Sequence, residues 1–262
     1  MNQQRWLQPL KVDGGQEAAP LATLVCLPHA GGAPSFFRDW PEELGPRIEA
    51  LAVCYPGRHD RFADPVVTDM TVMARCVAYA LAVLADRPLW LFGHSMGAAV
   101  AYETTRLLID VHGVRPAGLI VSGFPPPHRV QGGTVHLRGD DAIIADVLDM
   151  GAADSALFAE PELRELFLPA LRADYRLIET YRPTAGEPLE VPLTVCYGVD
   201  DEDAAVRASE WARYTTRPTE ELAFPGGHFY LQEQAPDLLA RLEEQILAAP
   251  SSPASEKNRE QW

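Results

Sequence analysis

The chain has 262 residues, of which 47% are hydrophobic and 23% are charged, and its formal net charge is −15. This balance is typical of a soluble globular protein, and the length suits one α/β domain with a sizeable core. The negative charge argues against a nucleic-acid partner, because phosphate binding needs an excess of Lys and Arg. It also disfavours attraction to an anionic membrane surface.

The N-terminal residues and the cysteines of the chain favour a cytoplasmic location. The polar start at residues 1–6 is not followed by an apolar run, so no signal peptide is predicted. No stretch reaches the roughly 18 apolar residues that a membrane span needs. The cysteines have neither Cys-x-x-Cys nor metal-ligand spacing, so we expect reduced core thiols, no metal and no cofactor. They are Cys26, Cys54, Cys76 and Cys196. A monomer is the default expectation.

Short apolar runs alternate with helical patterns along the chain. The runs predict strands at 21–27, 48–54, 89–92, 119–121, 191–197 and 221–224. Helices are predicted between them from Thr68, over 96–108 and over 204–214, and a last helix follows Pro236. This alternation predicts a mainly parallel, twisted sheet that helices cover on both faces.

One segment, 125–183, has helical patterns and no strand pattern. Asp140 can begin one helix there, and Pro161 can begin a second. We therefore predict a helical lid over the carboxyl edge of the sheet, although a pair of ordinary crossover helices is the alternative. The predicted division is an N-terminal extension at 1–20, a core at 21–124 and 184–248, the lid at 125–183 and a disordered tail at 249–262.

The pentapeptide Gly93-His94-Ser95-Met96-Gly97 matches Gly-x-Ser-x-Gly. It directly follows a predicted strand and directly precedes a predicted helix, which is the context of a nucleophile elbow. Glycines on both sides allow close packing around a strained serine, and the helix N-terminus points toward any oxyanion. The motif predicts the α/β-hydrolase fold with Ser95 as nucleophile. The alternative is a glycine-rich turn with an idle serine.

A serine nucleophile needs a general base and an acid that orients it. The chain order in this fold is serine, acid, histidine, and His228 follows the later strands in the loop before the last helix. We predict His228 as the base. The acid should follow strand 191–197, where Asp201 is the first choice and Asp200 the alternate. Asp203 is expected to cap the following helix.

The loop Leu27-Pro28-His29-Ala30-Gly31-Gly32 follows an early predicted strand. A backbone N–H near Ala30 could pair with that of Met96 to bind the oxyanion that develops on the substrate. We predict these two groups as the oxyanion hole. A simple Gly-Gly turn is the alternative.

With these residues in hand, the sequence resembles the type II thioesterases, the free-standing editing enzymes of polyketide synthases and nonribosomal peptide synthetases. The matching stretches are 27–32, Tyr55-Pro56-Gly57-Arg58 with Arg61, 93–97, Gly226-Gly227-His228-Phe229, and the lid run 168–175. The resemblance implies hydrolysis of acyl groups from the phosphopantetheine arm of an acyl or peptidyl carrier protein. The family places its acid three residues after the glycine that ends the strand, which favours Asp201, although Glu202 replaces the family's usual proline.

The resemblance also suggests residues that could meet the substrate or the carrier. His29, Arg58 and Arg61 are candidates for contacts with the arm, its phosphate or an acidic carrier surface, and solvated loop charges are the alternative for the arginines. Apolar lid residues are candidates to shape an acyl tunnel or simply pack the lid: Leu148, Phe158, Phe167 and Tyr175. Two other functions stay open, a carboxylesterase or lipase acting on oxygen esters and a non-catalytic hydrolase-like binding protein.

Overall fold

A computed structural model describes residues 5–10, 19–84, 86–151, 160–183, 186–205 and 207–249. Seven strands form one sheet: β1 Leu7–Pro9, β2 Ala22–Leu27, β3 Ile48–Val53, β4 Leu89–His94, β5 Gly118–Ser122, β6 Leu193–Gly198 and β7 Thr219–Phe224. Their order in the sheet is β1-β3-β2-β4-β5-β6-β7. Strands β2 to β7 pair in parallel, and β1 pairs antiparallel with β3. The predicted mainly parallel sheet is confirmed.

The helices are α1 Trp40–Leu44, α2 Met70–Leu81, α3 Met96–Asp110, α4 Asp140–Asp149, α5 Pro161–Thr180, α6 Glu202–Ala205 and α7 Ala235–Ala248. Of these, α2 and α3 cover one face of the sheet, and α1 and α7 cover the other. Alternate side chains of β4 show the two layers. Leu91 packs into the cluster that contains α2 and α3, whereas Trp90 and Phe92 pack toward α1 and α7. Burial on both faces explains why β4 is a nearly continuous apolar run.

The first strand was missed by the sequence analysis, which placed residues 1–20 outside the core. Leu7–Pro9 pairs with β3, with Leu7 opposite Val53 and Pro9 opposite Leu51. Trp6 is buried just before the strand, and the guanidinium carbon of Arg61 lies 4.0 Å from the centre of its ring. Part of the predicted extension therefore belongs to the sheet. The predicted tail falls, from residue 250 onward, outside the described residues.

Helices α4 and α5 come from the segment that was predicted to be a lid, and within its described residues, 125–151 and 160–183, no strand occurs. They share a small apolar core of Ile143, Val147, Leu168, Leu171 and Tyr175. Helix α5 lies on the loops that follow β2 and β3. A Cβ placed on Gly31 would lie 2.9 Å from Leu171 Cδ1, and one on Gly57 would lie 3.3 Å from Ala170 Cβ.

The predicted helix over 204–214 is instead the short α6 followed by a 3₁₀ helix, Ala208–Tyr214. Three residues per turn bring positions three apart onto one side. Ala208 and Trp211 are accordingly buried together, and the Trp211 indole N–H donates to the Phe124 carbonyl. Among the helices described, none is long and apolar enough to cross a membrane. All four cysteines are free and buried, as predicted for core thiols.

Candidate active site

Ser95 occupies a strained turn between β4 and α3. Its φ is 54° and its ψ is −122°, a conformation that a residue with a Cβ rarely adopts. Such strain typically costs about 1–3 kcal/mol and is found where a site depends on it. The turn is held by the Ser95 N–H, which donates to the Ser122 carbonyl of β5 over 2.8 Å.

The glycines of the pentapeptide are required by close backbone contacts. A Cβ on Gly93 would lie 2.2 Å from the Gly97 carbonyl oxygen, and one on Gly97 would lie 2.1 Å from the Leu27 carbonyl oxygen. The second contact also brings the end of β2 against the first turn of α3. The loop that carries Ala30 therefore begins beside the helix N-terminus that carries Met96. Binding of an oxyanion by their two N–H groups stays a prediction.

His228 and Asp201 form a close pair at the ends of β7 and β6. Asp201 Oδ2 lies 2.7 Å from His228 Nδ1, and both side chains are largely buried. The pair meets because the two loops pack tightly: a Cβ on Gly198 would lie 2.2 Å from the Gly227 carbonyl oxygen. Asp200 is exposed, and its N–H donates to the Gly226 carbonyl. The geometry thus distinguishes two neighbours that the pattern alone could not.

Asp201 also caps α6, the role that the sequence analysis gave to Asp203. Its Oδ1 accepts from the Ala204 N–H over 3.3 Å, while Oδ2 faces His228. Burial raises the pKa of Asp201, but the hydrogen bonds and the charge of His228 outweigh burial and leave the pKa below its ordinary value. The carboxylate is therefore ionised at neutral pH, as an acceptor for an imidazole N–H must be.

Ser95, Asp201 and His228 line one cavity of about 410 Å³. His228 Nε2 is buried and has no hydrogen-bond partner among the described residues. With Nδ1 committed to Asp201, Nε2 is the nitrogen left to take a proton from a group in the cavity. Contacts between nucleophile and base are often loose without substrate and tighten when it binds.

Two further histidines lie beside the pair. The ring centres of His94 and His228 are 5.0 Å apart, and those of His29 and His94 are 6.0 Å apart. Burial, reinforced by the charge of His228, lowers the pKa of His29 to about 3 and holds that of His94 well below its usual range. Both rings are therefore neutral at neutral pH, so neither adds a positive charge beside His228.

A buried hydrogen-bonded chain fixes His94, and the sequence analysis missed it. His94 Nδ1 lies 3.0 Å from Ser122 Oγ, which lies 2.8 Å from the Tyr230 hydroxyl. Ser122 ends β5, and Tyr230 follows His228 by two positions. These hydrogen bonds therefore connect the elbow to the loop that carries His228. No motif marks Ser122. The nearness of Tyr230 to His228 is the one signal that the sequence offered.

The burial of the two arginines excludes one of the two alternatives that the sequence left open for them. Arg58 donates to the Gly32 carbonyl and to Asp174, and Arg61 donates to the Cys54 carbonyl and to Asp64. Both side chains are more than nine-tenths buried. They are not solvated loop charges, because the chain itself satisfies their charge. Arg58 also lines a cavity, so a contact with the arm or the carrier stays a prediction.

A second cavity, of about 700 Å³, lies between the loop after β2 and the two lid helices. Its wall is mostly apolar and includes Phe36, Phe62, Val147, Phe167 and Leu171. The predicted candidate His29 also lines it, buried against Phe36 and Phe229. Tyr175 packs inside the lid and its hydroxyl donates to Asp146. Phe158 lies outside the described residues.

Comparison with known proteins confirms the resemblance seen in the motifs. Residues 22–246 match the thioesterase domain family. The chain is 39% identical over 260 residues to thioesterase PikA5 of Streptomyces venezuelae, covering 94% of this chain and 91% of that protein. Of solved structures, type II thioesterase BorB of the borrelidin cluster superposes with a TM-score of 0.84 at 36% identity, covering 92% of this chain and 98% of that one.

A second solved structure, the type II thioesterase YbtT from the yersiniabactin pathway, has a TM-score of 0.83 at 33% identity. The matched region covers 93% of this chain and 99% of the YbtT chain. Both structural neighbours cover more than nine-tenths of this chain, so the similarity is not limited to the elbow. The chain therefore belongs to the thioesterase family, as a hydrolase of thioesters with the α/β-hydrolase fold.

Proposed function

We propose that this thioesterase removes acyl groups from the phosphopantetheine arm of acyl or peptidyl carrier proteins, as an editing enzyme of a polyketide or nonribosomal peptide pathway. The observation that carries the proposal is the Asp201–His228 pair, which shares a cavity with Ser95 on its strained elbow. The pathway follows from its relatives, since BorB and YbtT are both type II thioesterases of such biosynthetic systems.

In the proposed acylation step, Ser95 Oγ attacks the thioester carbonyl carbon while His228 Nε2 takes the hydroxyl proton. Asp201 holds His228 in the tautomer that leaves Nε2 free, and it stabilises the imidazolium that forms. The N–H groups of Ala30 and Met96 bind the oxyanion. The C–S bond then breaks, and the proton on His228 passes to the departing sulfur.

In the second step, a water molecule attacks the acyl-serine. His228 Nε2 accepts a proton from that water and returns it to Ser95 Oγ as the free acid leaves. Side chains and backbone groups supply the nucleophile, the base and the oxyanion donors, so we propose that the reaction needs no cofactor beyond the arm that the substrate carries. We also propose a cytoplasmic location, which suits the four free thiols.

The test is intact-mass spectrometry of acyl carrier protein loaded with short acyl groups. Native protein is expected to restore the free thiol of the arm, and Ser95→Ala and His228→Ala should each lower the rate, by a factor on the order of 10⁶. Thr71→Ala, a change in the first turn of α2 away from the site, is the matched control and should act like native protein.

Two results would contradict the proposal in different ways. If the loaded carrier survives while p-nitrophenyl esters are cleaved through the same Ser95, the enzyme acts on oxygen esters and the substrate assignment is wrong. If a fluorophosphonate probe does not label Ser95 in the folded native protein, the serine is not a nucleophile and the mechanism is wrong.

A further inference from the structure

A buried ion pair joins the lid to the loop that carries Ala30. Arg58, in the loop after β3, donates through Nη2 to Asp174 Oδ1 over 2.8 Å, and its Nη1 lies 2.7 Å from Asp174 Oδ2. Asp174 belongs to lid helix α5. The pair is almost completely removed from solvent, with Asp174 exposed by 1%.

Both members of the pair also hold the backbone of that loop. Asp174 Oδ2 accepts from the Gly31 N–H over 2.8 Å, and Arg58 Nη1 donates to the Gly32 carbonyl over 2.9 Å. Gly32 in turn donates its N–H to the His29 carbonyl over 2.9 Å. Two elements distant in sequence, the loop after β3 and helix α5, therefore meet on the loop at residues 29–32.

These contacts determine where the Ala30 N–H points. The His29 carbonyl and the Ala30 N–H belong to one peptide plane, in which they point in opposite directions. Fixing the carbonyl through Gly32 thus fixes the N–H. On the preceding side, the Tyr55 hydroxyl donates to the Pro28 carbonyl over 3.3 Å. The next plane is held by Asp174 through Gly31.

We propose that Arg58 and Asp174 are positioning residues that aim the Ala30 N–H at the oxyanion, so that lid helix α5 sets the rate of the chemical step. This inference rests on the proposed function. A buried ion pair adds little net stability, because desolvation offsets much of the attraction, and its charge-assisted bonds confer geometry instead. The packing of Leu171 against Gly31 also helps to hold the loop that carries Ala30.

The test separates positioning from simple anchoring of the lid. Asp174→Asn keeps the size of the side chain and removes its charge, and Arg58→Lys keeps the charge and removes the two-pronged contact. Tyr175→Phe, at the next position of α5, is the matched control. It removes the hydrogen bond from the Tyr175 hydroxyl to Asp146 and leaves the contacts of the loop 29–32 unchanged. Thermal unfolding of each variant establishes that it is folded.

For both positioning variants, kcat is expected to fall by about tenfold or more, with loaded carrier and with a short N-acetylcysteamine thioester alike, while KM changes by less than about twofold. A trifluoromethyl ketone analogue, which forms an oxyanion on Ser95, should bind more weakly by the same factor as kcat falls. A thioether analogue, which forms no oxyanion, should bind as it does to native protein.

If kcat stays within about twofold of native while the melting temperature falls, the pair is an anchor and the inference is overturned. Equal losses for Tyr175→Phe and Asp174→Asn would overturn it as well. If Asp174→Asn does not fold, Arg58→Lys decides. Failure of the proposed function is distinguishable, since native protein would then leave the loaded carrier intact.

Discussion

At the scale of single residues, Asp201 shows how one carboxylate serves two purposes. One oxygen faces His228 and the other caps α6, so the turn after β6 is fixed by the same group that orients the base. Asp200 points to solvent beside it. The difference between the two neighbours is an effect of the turn, which brings one side chain inward.

This arrangement predicts opposite outcomes for two matched substitutions. Asp201→Asn removes the charge that stabilises the imidazolium and allows the wrong tautomer of His228, so kcat should fall by a factor on the order of 10⁴. Asp200→Asn should stay within about twofold of native. Steady-state kinetics with a short acyl thioester decide, and a large loss at Asp200 instead would assign the acid to that residue.

His29 predicts how stability depends on pH. Burial lowers the pKa of its imidazole from 6.5 to about 3 in the folded protein. Between these values the unfolded chain binds a proton that the folded chain does not, so the free energy of unfolding falls as pH falls. At pH 5 this one group should lower the free energy of unfolding by about 2 kcal/mol relative to pH 7.

The measurement is urea unfolding of native protein and of His29→Gln at these two pH values. The difference between the two pH values should shrink by about 2 kcal/mol in His29→Gln. Phe36→Leu alters the packing around the same ring and removes no titrating group, so it should keep the native difference. An unchanged difference in His29→Gln would contradict the neutral state of the buried ring.

Local pattern explains which site residues the sequence could indicate. The elbow around Ser95 could be predicted from the pentapeptide. Its two glycines are required, because a Cβ at either position would lie within 2.2 Å of a backbone carbonyl oxygen. His228 follows from chain order. The burial of Arg58 was not predicted because its partner Asp174 lies 116 positions later, on a lid helix whose docking no local pattern describes. Ser122 was missed for the same reason, since Tyr230 lies 108 positions beyond it.

At the scale of secondary-structure elements, buried parallel strands are the most predictable part. Strands β2 to β7 were each indicated by an apolar run, with ends that differ by at most two residues. β1 escaped notice because three residues, Leu-Gln-Pro, carry no usable pattern. Its position is set by Trp6, whose carbonyl accepts from the Cys54 N–H and whose ring lies under Arg61.

Trp6 therefore predicts how much β1 contributes to the fold. Trp6→Ala should lower the free energy of unfolding by about 3–5 kcal/mol, because it empties a buried site and removes a cation–π contact. Pro9→Ala, at the exposed end of the same strand, should change it by less than about 0.5 kcal/mol. Urea denaturation measures both, and equal small effects would show that β1 is dispensable.

At the scale of the whole molecule, the two cavities divide the space beneath and beside the lid. The smaller one holds Ser95 and His228, and the larger, apolar one reaches under α4 and α5. An acyl chain bound to Ser95 would gain most from the apolar wall, because burial of each methylene is worth about 0.8 kcal/mol. We therefore expect chain length to be distinguished in the larger cavity.

Narrowing that cavity should change chain-length preference. Val147→Phe places a ring in the wall beneath α4, and kcat/KM for an octanoyl carrier should fall by roughly tenfold or more while acetyl carrier is processed as before. Leu163→Phe, half-exposed on α5 and outside both cavities, is the control. Competition between acetyl and octanoyl carriers measures the ratio, and a parallel loss for both would place the chain elsewhere.

The lid also separates β5 from β6 along the chain, although the two strands pair directly in the sheet. A ribosome therefore finishes the lid before it begins the strand that covers the open edge of β5. During that interval Leu119 and Val121 lack their partners, and an unpaired apolar edge invites aggregation. The nascent chain already contains Ser95, yet its acid and base are still to be synthesised. The nascent chain therefore cannot catalyse the proposed reaction until these residues are made and the last strand joins the sheet. We expect chaperones to help most while the edge of β5 is unpaired.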